Sequence, residues 1–246
     1  MRLRGFAAAA ALDAVSEAAV GPSAYRAKLV PVEDLDEVVR RLASAVESAG
    51  GAATDDGSAD PAGSSAQGAA AAVAAVLRPG DDTVELLIIE RAERRGDPWS
   101  GQLAFPGGRR EPQDADDRAT AERETREELG LDLGAARWLT RLSTVSGRRA
   151  TGRRLEVAAH VYGLDADAAV ELRPNEEVAD AFWVPLRHLV TAENAMRYRY
   201  AGLPLQRFDA IRVHGQLGER VLWGLTLRFV EDLLERLGER LPRVGG

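Results

Sequence analysis

Phe105-Pro106-Gly107-Gly108, followed after a polar loop by Arg123-Glu124-Thr125-Arg126-Glu127-Glu128-Leu129-Gly130-Leu131, is the most informative stretch of this chain. Asp114 to Leu129 reads as a helix closed by Gly130, the residue type most often found just past a helix end. Each helical residue advances about 100°, so Glu124, Glu127 and Glu128 fall within an arc of about 100°. Three carboxylates crowded on one stripe repel one another. A hard divalent cation removes that cost, because Mg²⁺ and Mn²⁺ prefer carboxylate oxygens and water. Beside the stripe, Ala121, Thr125 and Leu129 recur every four residues and suit packing onto a sheet. Arg123 lies one turn before Glu127, placed to orient its carboxylate. Taken alone, a Glu- and Arg-rich helix is commonly a solvated face, and a Gly-Gly pair an ordinary turn. The joint order of strand, Gly-Gly loop and carboxylate helix favours a site, since glycine lets backbone approach a ligand closely.

Outward from that segment, Ala70 to Leu77 and Val84 to Glu90 read as two buried strands joined by Pro79-Gly80-Asp81-Asp82. Later strands are expected over Arg137 to Leu142, Leu155 to Tyr162 and Ala181 to Val184. A last helix is expected from about Val221 to Leu237, with Leu222, Leu225, Phe229 and Leu233 on one face. Interleaved strands and helices favour an α/β sandwich. At the front, Val32, Leu35, Val38, Val39, Leu42 and Val46 repeat at helical spacing, so Glu33 to Ser48 reads as an amphipathic helix. Residues 50–68 carry no large apolar side chain and read as a flexible linker. The expected organisation is an N-terminal helical extension over 1–49, a linker over 50–68 and a catalytic domain over 69–240. On that division, a chain beginning near Ala69 is expected to fold and keep most of its activity.

Composition narrows the function. The chain has 246 residues, 45% hydrophobic and 29% charged, with a net charge of -7. That balance argues against binding a nucleic-acid backbone as the main activity. Lys28 is the only lysine, and there is no cysteine, which excludes disulfides, zinc–thiolate sites and Cys nucleophiles. Arg2 and Arg4 precede the apolar run Phe6 to Leu12, which is short for a secretory signal and is followed by Asp13 and Glu17. No apolar stretch approaches the ~18 residues of a membrane span, so a cytoplasmic location is expected. His160, His188 and His214 are scattered and form no metal pair or triad. There is no Walker-type loop and no dinucleotide fingerprint. Arg148, Arg149, Arg153 and Arg154 cluster between two expected strands, as a solvated hairpin or as a phosphate clamp.

The central segment resembles the Nudix box, G-x5-E-x7-R-E-U-x-E-E-x-G-U with U a bulky apolar residue. Gly108 opens it, and Arg123, Glu124, Glu127, Glu128, Gly130 and Leu131 match its second half. Asp114 stands at the early Glu, one residue more separates it from Arg123, and Thr125 replaces an apolar residue. The resemblance runs from about Ala69 to Leu237. Gly101-Gln102-Leu103-Ala104-Phe105-Pro106-Gly107-Gly108, Asn175-Glu176-Glu177-Val178, Phe182-Trp183-Val184-Pro185 and Trp223-Gly224-Leu225-Thr226 are similar to the coenzyme A pyrophosphatase branch. That branch carries an Arg-Ser/Ala pair and a second Arg upstream. Here Arg91-Ala92 is present and Gly96 occupies the second Arg position, leaving Arg94 or Arg95 to substitute.

The resemblance implies an α/β/α sandwich with a mixed sheet and a metal-dependent hydrolase cutting the pyrophosphate of a nucleoside diphosphate derivative. Coenzyme A or its thioesters is the expected substrate, with ADP-ribose or a nucleoside triphosphate as alternatives. It further implies Mg²⁺ or Mn²⁺ on Glu124, Glu127 and Glu128, with a carbonyl of Gly107 or Gly108 assisting. Glu124, or Glu176 or Glu177 in a later loop, is then the general base, with Arg123 supporting. Arg91, Gly107, Gly108, Arg148 and Arg149 are expected to meet substrate. The competing class is a non-catalytic nucleotide sensor on the same fold, which the three retained carboxylates argue against. Expected partners are the small-molecule substrate, with neither nucleic acid nor membrane; a homodimer stays open.

Overall fold

The computed structural model describes residues 34–48, 69–95, 99–148, 154–166, 168, 170–203 and 205–244. In chain order its elements begin with α1 (Leu35–Ser48), β1 (Ala71–Pro79), β2 (Val84–Arg91), β3 (Leu103–Ala104) and β4 (Gly107–Arg109). Then come α2 (Asp117–Leu129), β5 (Arg137–Arg141), β6 (Val145–Arg148), β7 (Arg154–Gly163) and β8 (Val178–Pro185). The chain closes with α3 (Leu186–Leu189), β9 (Ala195–Tyr198), β10 (Phe208–Gly215), β11 (Gly218–Trp223) and α4 (Gly224–Arg236).

β1 and β2, the two strands expected on either side of the Pro79–Asp82 turn, pair antiparallel. β1 runs parallel to β7, while β2 pairs antiparallel with β8, so the eight-stranded sheet is mixed. The apolar runs are continuous because both faces of this sheet are covered. Ala71, Ala75 and Leu77 of β1 enter one core, and Ala72, Ala74 and Val76 enter the other. Helix α2 seals the second face with Ala121 and Leu129. The first face is covered by Phe229, Val230 and Leu233 of α4 together with Val38 and Leu42 of α1. This is the expected α/β/α sandwich, each such buried side chain contributing about 1.5–3 kcal/mol.

Helix α1 is joined to that core rather than detached from it. Val38 is 0% and Leu42 1% exposed, and Arg41 donates from Nη1 to the Leu237 carbonyl beyond α4 at 2.9 Å. The independent folding expected for a chain starting near Ala69 therefore meets a physical objection, because removing α1 uncovers that face. The stretch 50–68 lies outside the described residues.

Two helix starts differ from expectation. Helix α2 begins at Asp117, not Asp114: Asp116 is its N-cap, accepting the Ala119 N–H at 2.7 Å. Asp114 is occupied elsewhere. Helix α4 begins at Gly224, because Val221 to Trp223 end β11 of a separate three-stranded sheet, ordered β11-β10-β9. Leu222 is buried from that strand, not from a helical face.

Candidate active site

The site is built where β4 passes the carboxylate stripe of α2. β4 pairs with the start of β1, Val73 opposite Gly107 and Ala72 opposite Gly108. A Cβ at Gly107 would stand 2.5 Å from the Val73 Cα, and its φ of 149° is one L side chains rarely adopt. A Cβ at Gly108 would lie 2.5 Å from the Glu124 carboxylate. The two glycines thus serve different neighbours: Gly107 lets β4 close on β1, and Gly108 lets Glu124 reach the β4 backbone.

Glu128 is 2% exposed and accepts the Gly107 N–H at 2.8 Å. Burial pushes its carboxyl up to about 7; the Gly107 N–H opposes this and the neighbouring Glu124 adds to it. Glu124 is also raised, first by burial, with Arg123 pulling it down and Glu127 and Glu177 pushing it up. Two carboxylates therefore resist ionising side by side, a configuration that a bound cation relieves. Glu127 differs, being 54% exposed and held by Arg123 at 3.1 Å. Among the described residues, no three acidic or histidine side chains converge on one point as they stand. The donor set nonetheless fits a hard cation, since every candidate group is an oxygen.

Arg123 is engaged on all sides. It forms a two-point pair with Asp114 at 2.9 and 3.0 Å, donates to the Arg109 carbonyl at 3.0 Å and contacts Glu124 at 3.0 Å. Asp114, 8% exposed, also accepts from the Glu111 N–H and the Thr120 hydroxyl. These donors, Arg123 foremost, hold its carboxyl well below the usual carboxylate range. The shorter acid and the extra residue before Arg123 thus leave the ion pair intact. Arg123 thus bridges Asp114, Glu124 and Glu127.

These residues open into a cleft of about 790 Å³ lined by Gly107, Gly108, Glu124, Glu127 and Glu128. Arg91, Arg94 and Arg95 also line it, as does Glu177. Glu177 receives Arg94 Nη1 at 3.0 Å, whereas Glu176 is 91% exposed and not part of the lining. Of the two loop carboxylates, the structure brings Glu177 to the site and leaves Glu176 facing solvent. The side chain of Arg148, with Arg149 and Arg153, lies outside the described residues. His160 is a satisfied core histidine, accepting from Trp138 at 3.3 Å and facing Asp117 at 3.1 Å.

Residues 68–203, more than half of the chain, match the model of the NUDIX domain. The chain belongs to that family. It is a Nudix pyrophosphohydrolase. It is 36% identical over 166 residues to the human mitochondrial coenzyme A diphosphatase NUDT8, covering 65% of this chain and 67% of that protein. The mouse mitochondrial coenzyme A diphosphatase NUDT8 is 36% identical over 154 residues, covering 62% and 70%. Among solved structures, a C. elegans Ap4A hydrolase aligns with a TM-score of 0.42 and 19% identity, covering 48% of this chain and 81% of that one.

In this Nudix site Asn175 has a role that its place in the Asn175-Glu176-Glu177-Val178 segment does not reveal. Its Nδ2 donates to the Glu127 carbonyl at 3.0 Å, its N–H to the Glu128 carbonyl at 2.8 Å, and its Oδ1 accepts the Glu177 N–H. One side chain thereby ties the Glu177 loop to the last turn of α2. The signal was present, because asparagine ahead of a turn bonds its own backbone two residues on. Its tertiary partner had no sequence signal.

Proposed function

We propose that this Nudix enzyme hydrolyses the pyrophosphate of coenzyme A and its thioesters, releasing adenosine 3′,5′-bisphosphate and a phosphopantetheine. The observation carrying the chemistry is the pair Glu124 and Glu128, crowded against the Gly107–Gly108 backbone at the base of an arginine-walled cleft. The coenzyme A reading is supported by the identity to the two coenzyme A diphosphatases. In this reading Glu124, Glu127 and Glu128, with a Gly107 or Gly108 carbonyl, hold Mg²⁺ or Mn²⁺. Such an ion supplies charge neutralisation at phosphate oxygens and acidifies water.

The protein's own part is positioning, which phosphoryl transfer chiefly demands. Arg123 fixes Glu124 and Glu127, while Arg91, Arg94 and Arg95 meet phosphate oxygens in the geometry guanidinium favours. Water adds to phosphorus, one bridging P–O bond breaks, and the water proton passes to Glu124 or Glu177. Catalysis on this scheme is assigned to residues 69–240.

The deciding experiment incubates the protein with coenzyme A, acyl thioesters, ADP-ribose and nucleoside triphosphates, with Mg²⁺, Mn²⁺ or excess chelator, and identifies products by mass. Coenzyme A species should be among the best substrates, with no turnover under chelator. A specificity constant ~100-fold higher for ADP-ribose or a triphosphate, about 2.7 kcal/mol, rejects the coenzyme A assignment. Because Glu124 also belongs to the metal set, Glu177→Gln separates the two proton acceptors: the acidic limb of the pH–rate profile disappears if Glu177 is the base and persists if Glu124 is.

A further inference from the structure

A second cavity of about 580 Å³ adjoins the catalytic cleft and shares Trp99, Gln102, Trp223 and Leu225 with it. Its aromatic wall comes from the small sheet. Trp223 is packed by Tyr198, Tyr200 and Phe208 with ring centroids 5.2, 4.9 and 5.1 Å away. Leu203, 45% exposed, also lines it. A single drug-sized ligand occupies roughly 300–1,000 Å³, so the cleft alone accommodates a nucleotide. The adjoining chamber suits a substrate with a long second limb.

The charges around the two spaces distinguish the limbs. Arg91, Arg94 and Arg95 line the cleft and not the chamber. In the chamber wall, Asp209 pairs with Arg197 at 3.1 Å and Glu231 with Arg243 at 3.3 Å. Arg228 is the other charged side chain of that wall among the described residues. A phosphorylated nucleoside is matched by the cleft arginines, whereas an uncharged, largely apolar limb is matched by aromatic faces.

We propose that this chamber is the subsite for the acyl-pantetheine arm of a coenzyme A thioester, its acyl group lying against Trp223, Tyr200 and Leu203. The inference rests on the coenzyme A reading above and extends it to the choice among thioesters. Each methylene taken from water there strengthens association up to roughly fourfold, so longer acyl groups gain.

The test compares kcat/KM for free coenzyme A, acetyl-CoA and octanoyl-CoA. In parallel, octanoyl-pantetheine, which carries no phosphate, is titrated calorimetrically. Octanoyl-CoA should exceed acetyl-CoA by ~tenfold or more, and octanoyl-pantetheine should bind. Leu203→Asp, at a part-exposed position that does not endanger folding, and Tyr200→Ala should each shrink that ratio and weaken binding by ~tenfold. Equal rates across the acyl series, no binding of octanoyl-pantetheine, or a preference surviving both substitutions overturns the subsite and leaves coenzyme A hydrolysis standing. No turnover of any coenzyme A species, with another nucleotide derivative cleaved, rejects the coenzyme A reading and this inference with it.

Discussion

The buried Glu128 carboxylate accepts the Gly107 N–H at 2.8 Å, so the last turn of α2 is fastened to β4 by a group that burial disposes to stay protonated. This contact joins the two halves of the site, and its titration is measurable. Glu128 is raised to about 7 from an ordinary 4.5. Its contribution to stability is therefore fully present below about pH 4.5 and lost as pH rises through about 7. In metal-free protein the loss is on the order of 3 kcal/mol. Thermal unfolding in chelator should show Tm falling between pH 5 and 8, with Glu128→Gln flattening the fall. Mg²⁺ or Mn²⁺ should raise Tm more at pH 8 than at pH 5. A Tm that rises over this range in wild type and variant alike contradicts the assignment.

The two glycines of β4 should separate stability from activity. At Gly108 an added Cβ meets the end of the Glu124 side chain, which can move, so Gly108→Ala should fold with a Tm near wild type. Displacing that carboxylate should nevertheless cost roughly 10²-fold in kcat. At Gly107 the obstacle is the backbone of β1 and a φ of 149°. Gly107→Ala should lower Tm sharply, by a few kcal/mol equivalent. Circular dichroism melts and initial rates on the same preparations check both.

Asp114 should behave as a structural acid whose loss is felt at the site. Asp114→Asn leaves Arg123, 13% exposed, without its two-point partner, a change worth roughly 3 kcal/mol. Because Arg123 also orients Glu124 and Glu127, kcat should fall together with denaturant stability. Arg123→Lys should not substitute, since an ammonium cannot span both Asp114 oxygens and the Arg109 carbonyl. Full activity in Arg123→Lys would show that the orientation is dispensable.

Helix α1 supplies the fourth expectation. Leu42 is 1% exposed in the core shared with α4, so Leu42→Ala should cost about 2–5 kcal/mol. A chain beginning at Ala69 should unfold at lower temperature than the full chain and expose apolar surface to a fluorescent dye. An unchanged Tm in both would mean that the helix docks without stabilising the domain.

Much of this was written locally. The buried strands of β1 and β2 follow from uninterrupted apolar runs, the end of α2 from Gly130 with its φ of 66°, and the metal-type stripe from the 100° advance per helical residue. These depend on near neighbours in the chain, where spacing and residue type suffice. What only the tertiary structure decided depends on long-range packing: the Glu128–Gly107 bond spans 21 positions, and Arg94 meets Glu177 across 83. The small sheet of β9 to β11 likewise depends on tertiary pairing, because Val221 and Leu222 satisfy a backward extension of α4 and a strand equally well. Choosing between them required the pairing partner, since Leu222 faces Ile211 across the ladder. Sequence periodicity names the face a residue presents; only the folded chain supplies what that face meets.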